Sequence, residues 1–148
     1  MNAKAKIILV LVLGLLSVHA ADREKTLFDS EGDAVAYIAF DDELNIYLWG
    51  GAPVAYLKRE TGEINIYGFN GTHLGWFERG IIWNHKGSAV GFVEGAVNKT
   101  TKLERIKGLR KLAPLRRIER LPPKKPAFRT EFSDTPLKAF LMQGAKDY

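Results

Sequence analysis

One pattern of apolar and polar positions recurs four times along the first two thirds of the chain. Each copy has an apolar residue and an aromatic residue, then a polar turn that contains a glycine, then a small residue followed by a second aromatic. The copies cover residues 27–38, 46–57, 66–77 and 82–93. Two short runs of β-branched and aromatic residues joined through such a turn are typical of a β-hairpin. The repeat therefore predicts an all-β domain of four consecutive hairpins and about eight strands.

The alternation of side chains along the second strand of each hairpin indicates how the four hairpins are arranged. Consecutive side chains of a strand point to opposite faces. One position on the face of Ala36 and Ile38 is small in every copy, and it is occupied by Ala36, Ala55, Gly75 and Gly91. A position that stays small indicates crowding, as at the centre of a ring whose hairpins repeat around an axis. We therefore predict that the four hairpins form a pseudo-four-fold ring.

A second periodicity follows the repeats, with seven apolar residues spaced three apart. On an α-helix these positions would spiral around the cylinder, whereas a polyproline II helix has three residues per turn and aligns them on one edge. The sequence predicts an extended, polyproline-like basic segment over residues 97–130. We expect its apolar edge to be buried against the hairpin domain. The seven residues are Leu103, Ile106, Leu109, Leu112, Leu115, Ile118 and Leu121.

The two ends of the chain have different patterns. Residues 131–148 contain a short helix signal: residues 133–136 supply a capping residue followed by proline in the first turn, Leu137, Phe140 and Leu141 lie on one face, and Gly144 is a stop. Residues 1–20 have lysines, an apolar stretch and small residues before Ala20, a pattern typical of a secretory signal peptide. We expect cleavage near Ala20, a secreted or periplasmic protein, and no transmembrane segment in the mature chain. The hairpin domain then occupies residues 21–96.

The formal charge is distributed unevenly. Residues 21–96 carry twelve acidic and six basic side chains, a net charge of −6, while residues 97–129 carry two acidic and twelve basic ones, a net charge of +10. A basic segment can bind an anionic partner or lie on its own acidic domain. The expected partner is an anionic envelope component or another exported protein, and not a nucleic acid. The candidate contacts are Lys107, Arg110, Lys111, Arg116, Arg117 and Arg120.

The candidate chemistry is sparse. Neither His73 nor His85 has the spacing of a metal site, and the chain contains no cysteine for metal binding or disulfides. We identify no catalytic, metal-binding or cofactor-binding residue, and we expect no enzymatic activity. The aromatic residues could line a small ligand site, with Trp49, Phe69, Trp76 and Trp83 as candidates, although a domain of this size also needs aromatic residues for its core.

Several strings within the repeats resemble the four-fold beta flower family of bacterial proteins. They are residues 35–38, 47–49, 70–77 and 81–87, and the similarity extends into the tail. The resemblance implies four hairpins around a pseudo-four-fold axis, and it implies neither an established activity nor defined site residues. The predicted function is an exported, non-enzymatic structural or interaction module. The alternative is a binding module for an anionic envelope polymer or membrane surface through residues 99–129.

Overall fold

The computed structural model describes residues 23–145, so the predicted signal peptide lies outside the described residues. This part of the chain forms eight strands and one short helix. No helix within it has the length and apolar character needed to cross a membrane. The elements are β1 (Glu24–Phe28), β2 (Ala34–Ala39), β3 (Asn45–Leu48), β4 (Pro53–Glu60), β5 (Glu63–Gly68), β6 (His73–Glu78), β7 (Ile81–Trp83), β8 (Ala89–Phe92) and α1 (Leu137–Met142).

The eight strands form a closed antiparallel barrel in sequence order, which confirms the predicted ring of four hairpins. Phe28 on β1 pairs with Phe92 on β8 and closes the barrel. The fourfold repetition extends to irregularities, since each hairpin has one register shift between the apolar and the aromatic residue of its first strand. The shifts lie at Leu27/Phe28, Ile46/Tyr47, Ile66/Tyr67 and Ile82/Trp83.

Both faces of the barrel wall are buried, and they differ in chemistry. The inner face is aliphatic and includes Leu27, Ile38, Ile46, Ile66 and Ile82, each with no exposed surface. The alternate positions are aromatic and cluster separately, on the outer face. The aromatic residues are therefore largely buried, as a core role predicts, but they form a second layer outside the barrel instead of filling its centre.

Apolar side chains of helix α1 fill the crowded centre that the small residues predicted. Its apolar residues Leu137, Phe140 and Leu141 are buried within the aliphatic core. A Cβ at Gly91 would lie 2.8 Å from the Leu137 side chain, which explains the absence of a side chain there. The predicted start of the helix was wrong in detail, because Pro136 occupies the N-cap position and no side chain caps the helix.

The turns between paired hairpin strands all lie at one end of the barrel, because the strands alternate in direction. Helix α1 lies at the same end, since the backbone N–H of Asn70 in the third turn donates to the carbonyl of Gly144 just after the helix. The extended segment, called the strap below (residues 97–130), is hydrogen-bonded to the turns at this end. Residues 99–129 form neither helix nor strand, as the period of three predicted.

Candidate functional site: the strap around the barrel

The strap is bound to the barrel in a nine-residue register. Once every nine residues, a strap amide donates a hydrogen bond of 2.7–3.0 Å to the carbonyl of a turn glycine. The pairs are Lys102 with Gly32, Lys111 with Gly51, Arg120 with Gly71 and Arg129 with Gly87. Nine residues are three turns of a polyproline II helix and span about 28 Å. The period of the strap therefore matches the fourfold repeat of the barrel.

The turn glycines permit a close approach of the strap backbone. Gly51 has a φ of +97°, and a Cβ there would collide with the carbonyl oxygen of Leu109. Glycine is thus needed both for the conformation of the turn and for the space that the strap occupies. Gly71 meets the carbonyl of Ile118 in the same way, nine residues further along the strap.

One side of the strap places cations over the outer aromatic layer. The Lys107 ammonium lies 4.5 Å from the centre of the Tyr37 ring, and the Arg116 guanidinium lies 3.7 Å from that of Tyr56. Nine residues after Arg116, the ammonium of Lys125 lies 5.0 Å from the ring of Phe128, a strap residue that stacks on Trp83 of the barrel. Cations over aromatic faces are attracted by the ring quadrupole. The basic residues of this side therefore bind the protein's own barrel.

Acidic residues of the barrel and the strap complete this contact. Glu24 accepts bonds from Lys107 at 2.5 Å and from Arg110 at 2.6 Å. Glu119 of the strap contacts Lys58 and accepts a bond from the Tyr56 hydroxyl at 2.7 Å. Burial raises the pKa of Glu119, but the bonds from Lys58 and Tyr56 outweigh it and hold that pKa below its usual value. Burial and the bond to Glu119 raise the pKa of Tyr56.

The six predicted anionic-partner contacts fall into two groups. Lys107, Arg110 and Arg116 bind the barrel through ion pairs, hydrogen bonds and aromatic rings. The other three are exposed, and within residues 23–145 their side chains form no ion pair or hydrogen bond. They are Lys111, Arg117 and Arg120. The predicted contacts therefore divide into three side chains that bind the barrel and three that make no such contact within this part of the chain.

The apolar edge of the strap faces away from the barrel, and the predicted burial of this edge was wrong. Its seven side chains, called the ridge below, are 88–98% exposed. The ridge comprises Leu103, Ile106, Leu109, Leu112, Leu115, Ile118 and Leu121. The reason is that the strap binds through backbone amides and through the row that contains Lys107, Ala113 and Arg116, so the ridge row is turned outward.

The four aromatic ligand candidates are not brought together into one site. Phe69 is buried against Tyr56, and Trp49 packs edge-on against Tyr37 in a different part of the outer layer. Trp76 and Trp83 pair across neighbouring strands, and Phe128 of the strap stacks on Trp83 at 4.5 Å. Trp49 and Trp83 are half-buried and donate their ring N–H groups to backbone carbonyls.

The two histidines form a stacked pair that the sequence analysis did not predict. The Nδ1 of His73 lies 2.9 Å from the Nε2 of His85, and His73 donates its Nε2–H to the Asn65 side chain at 2.9 Å. Burial, and then the charge of His85, lowers the pKa of His73 to about 4. Burial also lowers the pKa of His85. The ring of His73 is thus held neutral at pH 7.

The histidine pair borders a cleft of about 540 Å³ that also contains Glu131 and Asp134. Catalysis by a hydroxyl nucleophile would need a base within hydrogen-bond distance of that hydroxyl. The described hydrogen bonds join these histidines only to each other and to Asn65. Within residues 23–145, no group of three or more histidine or acidic residues has the arrangement of a metal site.

Comparison with known proteins identifies one similarity. Residues 25–141 match the family model described as 4-fold beta flower protein, which covers the barrel, the strap and most of the helix. No curated protein and no solved structure matches the chain. The match therefore spans the strap as well as the barrel.

Proposed function

Because the chain belongs to the four-fold beta flower family, which is not a known enzyme family, we propose that it is an exported, non-enzymatic interaction module. The barrel is the scaffold, and the outer side of the strap is the binding surface for an anionic component of the cell envelope. The observation that carries this proposal is the division of the strap into an inner and an outer side. The inner side is neutralised by the barrel, and the outer side is not.

The outer side has the composition of a surface for anionic partners. Lys111, Arg117 and Arg120 are exposed, and no acidic side chain within the described residues pairs with them. Their backbone is fixed, because the amides of all three donate to carbonyls of the barrel. A fixed row of cations loses less conformational freedom on binding than a flexible tail does. Opposite charges on the partner then provide the attraction.

Binding is tested with a triple substitution of the free cations, Lys111→Gln, Arg117→Gln and Arg120→Gln. The wild-type protein should be retained on anionic vesicles and on a soluble polyanion at low salt, and it should elute as salt screens the charges. The triple variant should lose most of this retention. The control has the same change in net charge on exposed barrel residues outside the strap, through Lys25→Gln, Arg59→Gln and Arg79→Gln. Equal retention of both variants would refute the proposed surface.

Export is tested separately, on the protein made in its own host. The apolar stretch of residues 7–18 and the small residues before Ala20 support removal of the first twenty residues. The intact mass of the protein recovered outside the cytoplasm should correspond to a chain that begins at Ala21. Recovery of the full-length chain from the cytoplasm alone would contradict export.

A further inference from the structure

The ridge is the most unusual feature of the described surface. Eight large hydrophobic side chains are exposed within residues 23–145, and seven of them belong to the ridge. Exposed apolar residues are common when they are scattered singly, whereas seven of them aligned in one row point to an interaction site. The eighth, Met142, lies on helix α1 and is half exposed.

The ridge is fixed in its outward orientation. Leu109 and Ile118 rest with their backbone carbonyls against the turn glycines Gly51 and Gly71. Between these two contacts, the Arg116 guanidinium lies over the Tyr56 ring and donates to Asn45 at 3.1 Å. Turning Leu112 and Leu115 inward would require a rotation of the strap that breaks these contacts. The exposed row is therefore part of the folded structure.

The spacing of the ridge favours a fluid apolar partner. Successive ridge residues are three apart, so their side chains are about 9 Å apart along a polyproline II helix. Side chains at this distance do not pack against one another, and a protein partner would need a separate pocket for each. Acyl chains can fill the space around isolated side chains. A soluble anionic polymer offers no apolar phase at all.

The charges beside the ridge indicate what kind of partner surface the ridge can bind. Lys111, Arg117 and Arg120 lie one residue before or two after a ridge residue and are exposed with it. A second copy of the strap would bring these cations against like charges, which disfavours pairing of two ridges. Apolar side chains flanked by lysine and arginine are typical of segments that lie in the interface of an anionic membrane.

We infer that the ridge inserts into the interfacial layer of an anionic lipid bilayer, with the free cations at the headgroups. This inference rests on the proposed function, since it uses the same outer side of the strap and names the anionic component as lipid. The strap bends around the barrel, so a flat bilayer meets one stretch of the ridge at a time. The stretch between the contacts at Gly51 and Gly71 has Leu112 and Leu115 at its middle, with the exposed Lys111 and Arg117 beside them.

The experiment compares binding to vesicles of equal parts phosphatidylglycerol and phosphatidylcholine with binding to a soluble polyanion. The ridge variant is Leu112→Gln with Leu115→Gln, and Met142→Gln is an exposed apolar control outside the strap. We expect the ridge variant to bind the vesicles at least about tenfold more weakly than wild type, because two buried apolar side chains are lost. Its binding to the polyanion should be unchanged, and the Met142 control should bind vesicles as wild type does.

A direct readout uses the absence of cysteine from the chain. A dye attached at Leu112→Cys should shift to shorter emission wavelength on the anionic vesicles and not on the polyanion. Vesicle binding that the ridge substitutions leave unchanged would overturn the insertion and leave the proposed charge-based function standing. Failure of wild type to bind either probe would overturn both. A dimer in solution that the ridge variant loses would assign the ridge to a second copy and refute insertion.

Discussion

Replacing Gly51 by alanine tests the contact between the strap and the barrel. Its φ of +97° costs a residue other than glycine about 1 kcal/mol. The new Cβ would also displace the strap, whose Gly108 and Lys111 amides donate to this turn at 2.9 and 3.0 Å. Each of these hydrogen bonds contributes about 1 kcal/mol. We expect Gly51→Ala to lower the free energy of unfolding by about 3 kcal/mol in total.

The matched control is Gly62→Ala, in the turn between β4 and β5. Gly62 has a φ of +79°, and a Cβ there would meet no atom within 4 Å. This variant should lose only the conformational part, about 1 kcal/mol. Urea unfolding followed by tryptophan fluorescence measures both losses, and the rate of trypsin cleavage in the strap reports its release. Equal losses in the two variants, with no faster cleavage of the strap in Gly51→Ala, would refute the proposed contact.

Two further predictions concern the histidine pair and the barrel centre. The pKa of His73 is lowered to about 4, below the ordinary value of about 6.5 that it has in the unfolded chain. Because the unfolded chain binds the proton first, the free energy of unfolding should fall by about 3 kcal/mol as the pH drops from about 6.5 to about 4. Urea unfolding across this range should show a smaller decline for His73→Gln, and equal declines would exclude His73 as the cause. Phe140→Ala removes a side chain that is 3% exposed from the barrel centre and should cost about 3–5 kcal/mol by the same assay. A cost below about 1 kcal/mol would contradict the packing of Phe140 into the barrel core.

The barrel could be predicted from the sequence because local and global signals agree. Turn glycines, alternating apolar residues and repetition all favour hairpins, and repetition favours a ring. The position of Gly75 and Gly91 indicated a crowded centre. What fills that centre could not be derived, because packing of residues 137–141 into the barrel depends on long-range contacts that no local pattern records.

The orientation of the strap was predicted wrongly because burial of apolar residues was treated as the dominant force. The barrel already buries its inner face around α1 and its outer aromatic face beneath Lys107, Ala113 and Arg116. The strap therefore covers the aromatic layer with cations and a small residue, and not with its leucines. A signal was present in the sequence, since basic residues recur nine apart at positions 107, 116 and 125. The histidine pair left no such signal, because its members are twelve residues apart and on different hairpins.

The central claim is that the strap is bound to the four turns in a nine-residue register, and amide hydrogen exchange of the full chain tests it most directly. Six strap amides should be protected well above their neighbours, because each donates to a backbone carbonyl of the barrel. They are the amides of Lys102, Gly108, Lys111, Arg117, Arg120 and Arg129. The amides of Leu112 and Arg116, which make no such bond among the described contacts, should exchange quickly. Uniformly fast exchange across residues 99–129 would contradict the register and the outward ridge that depends on it.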